Sequence, residues 1–398
     1  MSKKVPLLDV GAQNGPISNA LRSAFERVLT SSHFILGQEV ERFERSMSDY
    51  IDAPHTLGVS SGTDAILLAL MTLGIGPGDE VLCPTFTFFA TAGCVSRLGA
   101  TPVFVDICPG CFNIDIEDAK AKITSRTKAI IPVHLFGQCA DMDGIMALAK
   151  AHNLYVIEDA AQAIGARYKG QSAGTIGDFG TFSFFPSKNL GALGDAGMLV
   201  IKDPELAEKA RVMHVHGSKP KYIHHYVGGN FRLDALQAAF LDVKLKHLDG
   251  YETKRSANAA YYRQAFEGLS GVASPQSDNC QQAAQIEAAI GKESKMILPS
   301  IHPSNHMIWN QFTLRIVPDG ARDALKAYLN EHNIGCEIYY PKCLHEQTCF
   351  QGASQGGDTI KQATKMASQC LSIPIYAELE QSQLDWVADR VAKFLDNL

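Results

Sequence analysis

The chain has 398 residues, of which 46% are hydrophobic and 20% charged, and a formal net charge of −6 at pH 7. That composition excludes the disordered and fibrous classes, and the acidic balance excludes binding to nucleic acid through broad phosphate neutralisation. The length is enough for one large core and a second, smaller unit.

In chain order, residues 17–53 carry helical periodicity through Leu21, Phe25, Val28, Val40, Phe43 and Met47. In "SSGTDAILLALMTLGIGPGDE", Ser60, Ser61 and Thr63 offer N-caps, a buried helix spans Ala65–Leu73, and Gly74 to Gly78 end it. "EVLCP", "TPVFVDI", "KAIIPVHLFG", "LYVIEDA", "FGTFSFF" and "GMLVIKD" read as strands. "TFFATAGCVSRLGA", "IEDAKAKIT" and "DMDGIMALAKAHN" read as the helices between them. Apolar strands alternating with helices predict a largely parallel sheet covered on both faces. From Pro204 the chain turns helical, and the stretch Asp234–Leu269 reads as a long helical link between two lobes. "NQFTLRIV", "ARDALKAYLNEHN" and "QSQLDWVADRVAKFL" then predict a smaller α+β lobe, so the expected division is 1–250 and 251–398. The polar, Gln-rich stretch from about Cys280 to Lys295 reads as a surface insertion.

No apolar run reaches the roughly 18 residues that a bilayer span needs. "MSKKVPLLDVGAQ" starts basic without the apolar segment of a signal peptide. No membrane contact and a cytoplasmic location are therefore expected. The ten cysteines are scattered; Cys108 and Cys111 come closest to a pair, as CPGC, where Pro-Gly reads as a turn. Zinc sites want paired clusters, so no metal is expected, there or in the histidine-rich "HVHGSKPKYIHHY".

Three stretches carry chemistry. "GIGPGD" is not one of them: it lies between a helix and a strand, the reverse of the order that a dinucleotide fingerprint requires. "SSGTDA" opens a helix, where free N–H groups, Gly62 and the Thr63 hydroxyl would hold a single phosphate; a plain capped helix accounts for it equally well. Asp159 follows an apolar strand on the carboxyl edge of the sheet, the usual ligand side, although a helix-capping role would also suit it. Gln162 lies three residues on and would face the same crevice. Lys188, in "SFFPSKNLGALGDAG", stands just past a strand exit at Ser183. A lysine desolvated there is a nucleophile toward carbonyls, whereas one snorkelling to the surface is inert. Taken together, a phosphate site, a ring beside Phe88, a carboxylate for a ring nitrogen and an amine for an aldehyde describe pyridoxal 5′-phosphate (PLP).

The chain resembles the DegT/DnrJ/EryC1/StrS family of sugar aminotransferases over nearly its whole length. The matching stretches are "FILGQEVERFE", "VSSGTDAILLAL", "PTFTFFATA", "VIEDAAQAIGA", "SFFPSKNLGALGDAG" and "GGNFRLDALQAA". The resemblance implies the aspartate-aminotransferase type of α/β fold (fold type I): a large, mixed, mostly parallel sheet domain, a smaller α+β C-terminal domain, and a homodimer with active sites at the subunit boundary. It implies Lys188 as the Schiff-base lysine, Asp159 as partner of the ring nitrogen and Gln162 at the cofactor hydroxyl. Phe88 would stack on the ring, while Gly62, Thr63 and Ser183 would hold the phosphate. Asn230 would reach the phosphate from the neighbouring subunit, a role resting wholly on the resemblance, since spacing alone reads it as a turn residue. Lys219 and Lys221 are candidates to meet a diphosphate, and Tyr340 and His345 to line a sugar pocket. Arg232 reads as a structural ion-pair former or a contact for a donor carboxylate. Phe185 stands where relatives often have histidine or tyrosine, which removes a polar contact.

The implied reaction moves an amino group from L-glutamate to a nucleotide-linked keto-sugar, a uridine- or thymidine-diphosphate 3-keto or 4-keto hexose. Two alternatives remain. Sugar dehydratases of this fold carry histidine in place of the lysine, so Lys188 counts against that reaction. A catalytically silent regulatory protein on the same fold is not excluded by fold alone.

Overall fold

The computed structural model describes residues 4–277, 280–290 and 294–398. Seven strands form the principal sheet: β1 (His55–Val59), β2 (Glu80–Pro84), β3 (Thr101–Val105), β4 (Thr127–Ile130), β5 (Tyr155–Asp159), β6 (Phe179–Ser183) and β7 (Gly197–Ile201). Their order across the sheet is β1-β7-β6-β5-β4-β2-β3. β7 runs antiparallel to both its neighbours, and the remaining pairings are parallel.

Side-chain alternation explains why the strands read as apolar throughout. Leu82, Ile130, Val156 and Met198 point to one face, under helices Ser18–Ser31, Gln38–Ile51, Met142–His152 and Ala235–Leu245. Val81, Cys83, Ile157 and Leu199 point to the other, under helices Gly62–Leu73 and Ala90–Arg97. Helix Gly62–Leu73 ends at Gly74 in the left-handed conformation (φ 74°), as "GIGPGD" leads one to expect.

The second layer is a four-stranded sheet of β8 (Val272–Ala273), β9 (Met296–Ile297), β10 (Phe312–Ile316) and β11 (Cys370–Ile373), packed on helices Ala321–Glu331 and Gln381–Asp396. Val5, near the start of the chain, pairs with Ile334 on this side of the molecule. The expected long helical link is two helices, Ala235–Leu245 and Leu248–Glu267. The predicted strand "KAIIPVHLFG" is regular only over Thr127–Ile130, with an isolated bridge from Val133 to Asp159 beyond it. The Gln-rich stretch forms helix Cys280–Ala289; residues 278–279 and 291–293 lie outside the described residues. Among the described residues, no helix is long and apolar enough to cross a membrane.

One carboxylate ties the two layers together. Asp106, at the exit of β3, is buried and accepts the backbone N–H groups of Lys361, Gln362 and Ala363 at 2.8–2.9 Å, at the entry to helix Gln362–Gln369. These N–H groups have no partner within the helix. Replacing Asp106 with alanine is expected to cost about 2 kcal/mol of stability, and Asp106→Asn less. Urea unfolding of the two variants against the wild type measures both.

Candidate active site

β5 and β6 are parallel neighbours with Asp159 opposite Thr181, so their chains leave the sheet side by side. Asp159 closes β5 and is only 4% exposed. Its Oδ2 accepts the Thr91 hydroxyl at 2.8 Å and its Oδ1 the N–H of Ala161 at 3.2 Å. Burial pushes the carboxyl above its ordinary range, opposed by these two hydrogen bonds and by Lys188.

Beyond β6 the chain turns through Pro186 and brings Lys188 back, its N–H donating to Phe185 O at 2.8 Å. The Lys188 side chain lies deep in the fold yet keeps an opening to solvent. Its amine makes no hydrogen bond or ion pair with any described residue. Burial pulls it down to about 8, and the charge of Asp159 holds it from falling further. The adjacent Asn189 is fully buried and pinned on both sides: it donates to Ile308 O at 3.0 Å and accepts from Asn310 Nδ2 at 2.9 Å. The turn carrying Lys188 is thereby fixed to the segment leading into β10.

The third element is the start of helix Gly62–Leu73. Ser61 is its N-cap and accepts the Asp64 N–H at 3.0 Å, which leaves the N–H groups of Gly62 and Thr63 open. This corner is tightly packed. A Cβ on Gly62 would lie 2.8 Å from Ser183 Cβ, and one on Gly197 would lie 2.4 Å from the Ser61 carbonyl carbon. Both glycines are therefore required, and they bring the Ser183 hydroxyl to the helix N-terminus. Such a terminus favours an anion through its free donors and its dipole.

Gln162 is buried with its amide oriented by two contacts: Oε1 accepts the Phe136 N–H at 2.8 Å, and Nε2 donates to the Tyr340 hydroxyl at 3.2 Å. Tyr340 also packs edge-on against Phe86. His345 is held by Thr85, with Nδ1 2.7 Å from the hydroxyl, just past the exit of β2. Phe88 and Phe185 are exposed, at 57% and 51%. The other candidates stand apart within one chain. Asn230 is exposed and pairs through its backbone with Val215. Lys219 is ion-paired with Glu208 on the surface, and Lys221 lies over the ring of Tyr222. Among the described residues Arg232 makes no salt bridge and its buried Nε has no partner, so the expected structural ion pair is not found there. Among the described residues, no cluster of three or more His, Cys, Asp or Glu is arranged to hold a metal.

Sequence reasoning missed Thr91 and the buried pair His134–Glu158. Thr91 sits inside "FFATA", which reads only as the start of a helix. His134 Nε2 lies 2.8 Å from Glu158, directly behind Asp159. The only sequence signal was a polar pair at the exits of two otherwise apolar strands.

A mostly parallel sheet with one antiparallel strand, a lysine turn beyond it and a carboxylate at the neighbouring strand exit define the fold type I class of aminotransferases. Within that class, the chain belongs to the DegT/DnrJ/EryC1/StrS aminotransferase family, whose model matches residues 17–392. It is 44% identical to a "Pleiotropic regulatory protein" of Geobacillus stearothermophilus, over 98% of both chains. It is 41% identical to the UDP-N-acetyl-3-dehydro-alpha-D-glucosamine 3-aminotransferase of Acidithiobacillus ferrooxidans, again over 98% of both. Among solved structures it is similar to S. venezuelae DesV in complex with a ketimine intermediate (TM-score 0.89, 39% identity, 99% of both chains). It is also similar to NtdA from Bacillus subtilis with bound cofactor PMP (TM-score 0.86, 30% identity, 100% of this chain and 86% of that one).

The opposed effects on Lys188 give a pH prediction. In the cofactor-free protein, acylation of Lys188 followed by mass spectrometry is expected to rise with pH around a midpoint near 8. In Asp159→Asn the midpoint moves lower, because the charge that favours the ammonium is gone.

Proposed function

We propose that the protein is a PLP-dependent aminotransferase that moves an amino group from L-glutamate to a nucleotide-linked keto-sugar. The observation that carries this reading is the unpaired, depressed amine of Lys188 facing Asp159, beside an open helix N-terminus. The residues fit the cofactor. Lys188 offers the amine for its aldehyde, Asp159 the carboxylate for its ring nitrogen, and Gln162 a remaining amide N–H for its ring oxygen. Gly62, Thr63 and Ser183 offer the donors for its phosphate, and Phe88 an exposed face for its ring. When bound, PLP supplies a carbonyl that captures amines and a ring that withdraws electrons from the substrate carbon.

The chain's own residues do the proton work. With its amine near 8, Lys188 Nζ is both an acceptor and a donor at neutral pH. It takes the proton from the donor's Cα and returns it on the far side of the transferred nitrogen. Asp159, whose anion the Thr91 hydroxyl and the Ala161 N–H favour against burial, would hold a positive charge at the ring nitrogen. The guanidinium of Arg232, whose backbone makes an isolated bridge with Val59 beside the helix N-terminus and whose Nε has no partner among the described residues, suits the carboxylate of the donor.

The 41%-identical relative supports a UDP-linked 3-keto hexose as acceptor; the dTDP-linked and 4-keto forms rest on the family resemblance. Exposed apolar residues, among them Phe88, Phe185, Ile223 and Val227, support a homodimer. In that dimer Asn230 of a second copy reaches the phosphate, and Lys219 and Lys221 leave their surface partners for the sugar diphosphate. Tyr340 and His345 line the sugar side. The 44%-identical relative favours a second reading, a regulatory protein that keeps the site.

An absorbance scan separates the two. Protein loaded with PLP is expected to show a visible band that gives way to a near-ultraviolet band on adding L-glutamate, and Lys188→Ala is expected to show neither change. A visible band that ignores every amino donor would favour the regulatory reading.

A further inference from the structure

Asp159 has one contact that no part of the sequence pattern announced. Thr91, in the first turn of helix Ala90–Arg97, is completely buried, and its hydroxyl donates to Asp159 Oδ2 at 2.8 Å. A hydroxyl has a single proton, and this one is spent on the carboxylate. Thr87, whose Oγ1 lies 3.1 Å from Thr91 Oγ1, is therefore the donor in that second contact. Thr87 is 3% exposed, so water does not compete for the pair. The result is a directed chain, Thr87 to Thr91 to Asp159, running from the loop after β2 into the strand exit of β5. The backbone of Thr91 is held at the helix start by its own N–H, which bonds to Phe88 O at 3.3 Å.

We propose that Thr91 is a positioning residue for the cofactor's ring nitrogen: its hydroxyl, oriented by Thr87, fixes the Asp159 carboxylate and keeps the proton on the ring instead of on the carboxyl. This rests on the reading of the site as a PLP site. The chemistry follows from competition for one proton. A carboxylate at this depth is more basic than one in water, since burial disfavours its charge. Paired with a pyridine nitrogen, a carboxylate that is too basic takes the proton, and the ring loses the positive charge that makes it withdraw electrons. A donor aimed at the carboxylate stabilises the anion and lowers its basicity. Thr91 supplies that donor without adding charge, and Thr87 strengthens it by polarising the shared hydroxyl. The Ala161 N–H, at 3.2 Å, is the longer of the two contacts to Asp159 and does not replace it.

The test uses PLP labelled with nitrogen-15 in the ring, bound to the full-length protein, and reads the nitrogen chemical shift alongside PLP affinity of the cofactor-free form. In the wild type the shift is expected to be that of a protonated ring. In Thr91→Val, which keeps shape and removes the hydroxyl, the shift moves toward neutral pyridine and affinity weakens about tenfold, the loss expected for one hydrogen bond to a charged group. Thr91→Ser retains the hydroxyl and stays close to the wild type in both readings, which a purely packing role for the methyl group does not predict. Thr87→Val shifts the nitrogen in the same direction by less. If Thr91→Val does not fold, as judged by its melting curve, the Thr87→Val and Thr91→Ser results decide. Wild-type values in Thr91→Val, or a Thr91→Ser as impaired as Thr91→Val, overturn the proposal while leaving the site reading intact. A wild-type protein that takes up no PLP overturns the site reading, and this inference with it.

Discussion

The molecule depends on placing an amine and a carboxylate where neither would hold its charge alone. Burial pushes Asp159 up and pulls Lys188 down, and each charge opposes what burial does to the other. An arrangement of that kind needs two chain segments leaving the sheet at one point. β5 and β6 provide it because they are parallel and adjacent, in a register that sets Asp159 against Thr181. It also needs neutral donors to hold the acid, which helix Ala90–Arg97 supplies, and a stiff turn to hold the lysine, which the Asn189–Asn310 pair supplies.

The residue before Asp159 does the complementary structural work. Successive side chains of a strand point to opposite faces, so Glu158 turns away from the crevice into the core. There it accepts the N–H groups of Gly174, Ile176 and Gly177 at 2.6–2.9 Å and the His134 ring at 2.8 Å. The Ala140 N–H donates to His134 Nδ1, so Nε2 carries the proton that goes to Glu158. The three N–H contacts to this fully buried carboxylate fix the segment between β5 and β6, and the His134 contact ties it to the chain after β4. The distance between the two strand exits, and hence between Asp159 and the Lys188 turn, is set from behind by a group that never meets a ligand.

Lys188 and Asp159 were legible because their signals are local: a charged residue at the end of an apolar strand stands out against its neighbours. Helix Gly62–Leu73 and its glycine stop were legible for the same reason. Thr91 was not, since a threonine near a helix start has many ordinary uses and its partner lies 68 positions away. The break at Lys246–His247 was missed because residues on both sides favour helix, and the shortened β4 because "IIPVH" is apolar whether or not it pairs. The roles proposed for Asn230, Lys219 and Lys221 would need a second copy of the chain, and in one chain these residues sit at the surface. Family resemblance alone pointed to Asn230, and Lys219 and Lys221 stood out only by their place in the histidine-rich loop.

An unpartnered buried amine does not by itself mark an active site, and the molecule contains its own control. Lys244, in helix Ala235–Leu245, is fully buried, has no hydrogen-bond partner for its Nζ among the described residues and is also pulled down to about 8 by burial, with the charge of Glu378 opposing. In its titration it matches Lys188 closely. The surroundings separate them. Lys244 is sealed between helices and has no route for a substrate, whereas Lys188 opens to solvent at the carboxyl edge of a parallel sheet, where ligands of such folds bind. Lys188 also faces a carboxylate at the next strand exit, and the same edge carries a helix N-terminus with open donors. Depressed basicity is thus what burial does to any lysine, and it becomes chemistry only where an opening, an acid and an anion site converge. That convergence, more than the family match, is what weighs against a purely regulatory role: a fold that needed only its shape would gain stability by replacing the Lys188–Asp159 pair with apolar residues.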